Sequence, residues 1–132
     1  MNNKLTPVIK SINPISQKSI EKINEIVEFV NLQKGESITS VGKNNNKEYF
    51  IIDGVCRSFL HSPKGEDVTI SFFMPSSVIS PSITRNKNGK SIINLQAITS
   101  VEMATMDAAE FENLMIEDLE IRNFGNSVLR NE

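Results

Sequence analysis

Apolar residues recur with a helical period at both ends of the chain and with a period of two between them. In residues 1–28, Thr6-Pro7 reads as an N-cap followed by proline at the first helical position, with Val8, Ile9 and Ile12 on one side. Asn13-Pro14 interrupts that pattern. A second helix is expected from Ser16 or Ser19, with Ile20, Ile23, Ile26, Val27 and Val30 on a stripe that suits core packing. In residues 29–106 the spacing predicts strands at 29–33, 36–41, 48–53, 55–61, 67–73, 91–98 and 100–106. Turn signals separate them, the strongest being Pro63–Gly65 and Asn88-Gly89. Short strands at this spacing argue for a sandwich or barrel rather than a parallel sheet with crossover helices.

At Asp107 the helical period returns. Asp107 with Glu110 fits a capping box, and Phe111, Leu114 and Met115 follow on one face. In the remainder of 107–132, Leu119, Ile121, Phe124, Val128 and Leu129 give the last helix an apolar edge, with Gly125 allowing close approach. The expected fold is mainly β, a jelly roll flanked by helices. At 132 residues, 39% hydrophobic and 23% charged, the chain suits one domain around a single core.

Charge narrows the function. The formal net charge of −2 excludes strong nonspecific attraction to nucleic acid. Residues 107–132 hold seven acidic residues against Arg122 and Arg130, so a phosphate backbone would repel this segment. The lone Cys56 cannot form an intramolecular disulfide. The N-terminus lacks the apolar core of a signal peptide, and no apolar run approaches the roughly 20 residues of a membrane span. A cytoplasmic protein with no membrane partner is expected.

Leu32–Glu36 with Gly42, then Tyr49–Ile51 with Gly54 and Arg57, then Gly65, Val68 and Phe72-Phe73, follow one another in a telling order, and Ala97–Ala104 closes the series. This arrangement resembles the effector-sensing half of Crp/Fnr-type bacterial transcription regulators, the cyclic-nucleotide-binding β-roll, across essentially the whole chain. The resemblance implies a double-stranded β-helix that senses a small molecule. It also implies a homodimer built on the C-terminal helix, here through Ile121, Phe124, Val128 and Leu129. DNA would be bound only through a following helix-turn-helix module, which this chain does not contain; it stops inside what resembles the long dimerisation helix.

In relatives that bind cyclic AMP, a Gly-Glu pair closes on phosphate and ribose, and an arginine about ten residues later pairs with the phosphate. Counted back from Ala97, those positions fall at Ser80-Pro81 and Ser91, with Lys90 one residue away. Pro81 lacks a backbone donor and Ser91 carries no charge, so loss of cyclic-AMP binding is expected. Ser80, Ser82, Arg85, Lys90 and Ser91 remain the candidate ligand-binding residues, for an effector of unknown identity.

A cupin-like metal enzyme on the same architecture would need several His and carboxylate ligands converging, and His61 is the only histidine. An iron–sulfur sensor would need several cysteines. No metal, cofactor or catalytic residue is therefore expected. A stand-alone β-roll acting as a ligand-binding or protein-interaction module is the remaining alternative to a regulator's sensor.

Overall fold

The computed structural model describes residues 4–80 and 86–130, with side chains as far as Ser127. Two helices come first, α1 (Leu5–Ile12) and α2 (Gln17–Ile26). Strands β1 (Glu28–Leu32), β2 (Ser37–Thr39), β3 (Lys47–Asp53), β4 (Cys56–His61), β5 (Asp67–Phe73), β6 (Val78–Ile79), β7 (Asn94–Ala97) and β8 (Val101–Asp107) follow. The last helices are α3 (Ala108–Glu117) and α4 (Leu119–Arg130). The strands form two four-stranded antiparallel sheets, ordered β1-β8-β3-β6 and β2-β7-β4-β5. This is the mainly β roll with flanking helices that the spacing predicted.

Several boundaries differ from the sequence reading. Helix α1 begins at Leu5, two residues before the Pro7 expected at the first helical position, with Lys4 as N-cap and no side-chain cap. Pro7 is tolerated there because the first N–H groups of a helix have no intrahelical partner. The stripe on the second helix ends with Ile26; Val27 is its C-cap and Val30 lies in β1. Strand β7 is shorter than the expected 91–98, because the Ser91 hydroxyl bonds to the Ile93 backbone and holds that stretch in a turn. Strand β6 was not anticipated; at two residues it is too short to carry a period.

Alternation on β3 and β8 builds the core on both faces of one sheet. Phe50, Ala104 and Met106 face a helical layer with Leu5, Ile9, Ile20, Ile23 and Phe111, while Ile51, Val101 and Met103 face the opposite sheet with Cys56, Leu95 and Ala97. The helical layer claims the last helix. Ile121 and Phe124, expected at a dimer edge, are both 0% exposed, and the Phe124 ring lies 5.9 Å from Phe50 and 6.2 Å from Phe111. Folding this edge onto the roll covers Phe50 and Ala104 without the entropy loss of association. Gly125 brings α4 close to Met115 and Phe111 of α3, within the same chain. The side chains of Val128 and Leu129 lie outside the described residues.

Carboxylates pin the helix ends. Asp107 caps α3, accepting from the Ala109 and Glu110 amides at 2.8 and 3.2 Å. Asp118 caps α4 through the Glu120 and Ile121 amides at 2.9 and 3.2 Å. The other Asp118 oxygen accepts from Ser19 Oγ at 2.8 Å and Lys22 Nζ at 3.1 Å. Ser16 Oγ, the N-cap of α2, donates to Glu120 at 2.5 Å. This node latches the N-terminal helices to the C-terminal pair.

Desolvation pushes the Asp118 carboxyl up, but hydrogen bonds from Ser19 and Ile121, with the Lys22 charge, outweigh it and hold it below its ordinary value. Hydrogen bonds from Ser16 and Ser19 lower Glu120 likewise. On acidification the unfolded chain therefore binds protons first. The latch contributes fully above the ordinary carboxylate range, about pH 4, and is lost as the pH falls through it toward the lowered folded-state values. Acid unfolding followed by circular dichroism should show Asp118→Asn less stable than the parent at neutral pH, with the gap narrowing below about pH 4. An unchanged gap at low pH would show that the node does not titrate.

Candidate functional site

The region expected to bind a ligand spans the end of β6 and the turn leading to β7. Ser80 follows β6 and is 2% exposed; its Oγ donates to Glu48 Oε2 at 3.2 Å, a buried pair opposite the start of β3. Ser91 is also 2% exposed. Its Oγ donates to the Ile93 carbonyl at 2.7 Å, its N–H donates to the Lys43 carbonyl at 2.8 Å, and its carbonyl accepts from the Gly42 amide at 3.0 Å. Lys90 is exposed and donates through Nζ to Asn44 Oδ1 at 2.6 Å. Ser82 and Arg85, with Pro81, lie outside the described residues. Lys90 and Ser91 both tie the 86–91 turn to the loop before β3, where Asn44 bridges Lys90 and Asn45 N–H donates to the Gly89 carbonyl. The turn itself closes as Asn88-Gly89 predicted, with the Gly89 N–H donating to the Asn86 carbonyl at 3.0 Å.

Sequence reasoning missed the groups that face the space between the sheets beyond the apolar layer. Stepping two residues along each strand from Ile51, Met103 and Cys56 leads to Tyr49, Thr105 and Ser58, all on the inner face. Tyr49 pairs with Thr105 across the sheet and with Ile79 on the other side. Burial raises the Tyr49 phenol above its ordinary value, and its hydroxyl has no hydrogen-bond partner among the described residues. Alternation was the signal that could have found these three. At the other end Cys56 is fully buried, and burial pushes its thiol up to about 11, which makes it a packing residue rather than a nucleophile.

Arg57 lies on the outer face of the second sheet. Its guanidinium donates to Gln96 Oε1 at 3.0 Å, Thr69 Oγ1 at 2.9 Å and Asp67 Oδ2 at 3.1 Å, and stacks 4.1 Å over the Phe59 ring. It therefore clamps β4 to β5 and β7. His61 Nδ1 lies 2.8 Å from Asp67 Oδ1 on the same face. Among the described residues no three His, Cys, Asp or Glu side chains converge as a metal site, and no helix is long and apolar enough to cross a membrane.

The model of the cyclic nucleotide-binding domain family matches residues 29–118. No curated protein matches the chain in sequence. Solved structures share the fold at low identity. The sensor domain of the transcriptional regulator DNR from Pseudomonas aeruginosa is 13% identical with a TM-score of 0.80, over 99% of this chain and 91% of that one. The N-terminal domain of a transcriptional regulator from Streptomyces coelicolor is 15% identical with a TM-score of 0.72, over 93% and 82%. A cyclic nucleotide-binding domain from Methylobacillus flagellatus is 11% identical with a TM-score of 0.81, over 98% and 74%. With two antiparallel sheets closed into a roll, helices on one face, and the family's pattern over more than half its length, the chain belongs to the cyclic nucleotide-binding domain family.

Proposed function

We propose that this domain senses a small molecule on behalf of a Crp/Fnr-type transcription regulator, performs no catalysis, and does not hold a cyclic nucleotide in the usual way. The observation that carries this reading is Ser91. At the position where relatives that bind cyclic AMP use arginine, this chain has a buried, uncharged side chain closed onto the Ile93 backbone. A cyclic phosphate there would lose its hydration without gaining a charge partner, a loss that a serine hydroxyl does not offset. The inward hydroxyls of Tyr49, Thr105 and Ser58 suit a small uncharged effector that forms hydrogen bonds. Two of the three structures compared above are described as regulator domains, which supports a sensing role.

Isothermal titration with cyclic AMP and cyclic GMP should give no binding at micromolar concentrations. Micromolar binding that Arg85→Ala or Lys90→Ala removes would overturn the reading, because shifted cations would then have rebuilt the phosphate site.

A further inference from the structure

We propose, resting on the sensing role above, that the effector is a neutral amphiphile. Its hydrogen-bonding head of a few atoms sits between the two sheets, and its apolar tail lies toward Leu60 and Val68. Ser58 and Thr105 are only 2 and 6% exposed, yet neither hydroxyl makes a hydrogen bond among the described residues. The hydroxyls of Tyr49 and Ser71 are likewise unpartnered there. Ser71 stands opposite Ser58 on the inner face of the second sheet, as Thr105 stands opposite Tyr49 on the first. Buried hydroxyls are almost always paired. Two left open on the inner faces of the two sheets mark where a ligand's polar group is received.

A bulge in β5 decides what lies beyond this hydroxyl level. The β4–β5 ladder passes from Ser58↔Ser71 to Phe59↔Thr69, which leaves Ile70 as the extra residue and resets the alternation. Thr69 therefore faces outward, where its Oγ1 accepts from the Arg57 guanidinium at 2.9 Å, and Val68 pairs with Leu60 on the inner face. Leu60 and Val68 are 38 and 50% exposed, so the inner face turns apolar again where it opens to solvent. The hydroxyl level is one pleat repeat deep, about 7 Å along the strands. That depth accepts an amide, a hydroxyketone or a small lactone ring; a nucleotide is too long for it. The next inward positions on the first sheet, Lys47 and Asp107, stand opposite each other, so each charge already faces its counterpart. An ion of either sign among the hydroxyls would lose its hydration without gaining an opposite charge. Hydroxyls, which both donate and accept, suit a neutral head instead.

Straight-chain primary amides, titrated into the whole isotope-labelled chain and followed by backbone amide shifts, provide the test. Butanamide, hexanamide and octanamide should shift the resonances of Tyr49, Ser58, Val68, Ser71 and Thr105. Affinity should rise about three- to fourfold per added methylene as the tail is buried. Hexanoate and hexylammonium, of the same length but charged, should bind at least about tenfold more weakly than hexanamide. Ser58→Ala and Thr105→Val should each weaken hexanamide at least about threefold, and Leu60→Ser should flatten the dependence on chain length. The proposal is overturned if none of the amides shifts these resonances at millimolar concentration, or if the shifts are confined to the helical layer. Equal binding of the charged analogues, an affinity independent of chain length in the parent, or hexanamide binding untouched by both hydroxyl variants would overturn it too. The sensing role itself would survive each of these results, since it stands on Ser91 and is tested by the cyclic-nucleotide titration.

Discussion

Replacing Phe124 with alanine should cost about 3–5 kcal/mol of folding stability, the range for removing a buried aromatic ring. The ring is fully buried, lies between Phe50 of β3 and Phe111 of α3, and joins the helical layer to the sheet. Its loss leaves a cavity bounded by both elements, which the strand cannot collapse into without disturbing its pairing with β8. Urea unfolding followed by circular dichroism measures the effect; a loss under about 1 kcal/mol would mean that α4 does not hold this position in solution. Phe124→Asp should not fold at all, since a carboxylate would be buried without a partner. That variant therefore cannot report on self-association, although the apolar edge read from the sequence made it look like the natural test of a dimer.

The second large effect is expected at Gly54, in the turn between β3 and β4. Its φ is +89°, and a Cβ there would run into the carbonyl oxygen of Ser100 and the Cα of Val101. Backbone cannot retreat from such a contact as a flexible side chain can. The turn is also held on both sides, by the Val55 amide on Thr99 Oγ1 and by the Ile98 amide on the Val55 carbonyl, each at 3.0 Å. Gly54→Ala should therefore cost about 3 kcal/mol, combining the left-handed backbone with the steric clash. Gly65 provides the control. Its φ is +83° with nothing within 4 Å of the added carbon, so Gly65→Ala should cost only about 1 kcal/mol. Equal losses at the two glycines, measured by urea unfolding, would show that the approach of residues 100 and 101 carries no energy.

Much of the architecture was legible because it rests on local chemistry. Alternation from β1 to β8 marks strands because a pleated chain turns successive side chains to opposite faces, whatever lies beyond them. Ser16, Asp107 and the glycines of the turns announce helix starts and reversals because capping and positive φ are requirements of nearby backbone. Strand β6 was not legible, since two residues carry no period and are ordered only by pairing with Tyr49 and Phe50.

The candidate site was less legible. Ser80 and Ser91 stand at ligand positions by resemblance, yet their hydroxyls are bound to Glu48 and to Ile93. A side chain's neighbours across the fold are not written in its own segment. The inward hydroxyls of Tyr49, Thr105 and Ser58 lie on three strands from two sheets, so only the tertiary pairing sets Tyr49 beside Thr105 and puts Ser58 on the other sheet. The terminal helix makes the same division plain. An amphipathic edge at Ile121 and Phe124 follows from sequence alone, because spacing fixes which residues share a face. What that edge covers was decided only in three dimensions, where Phe50 and Ala104 left an apolar surface that the chain's own helix could bury without a partner.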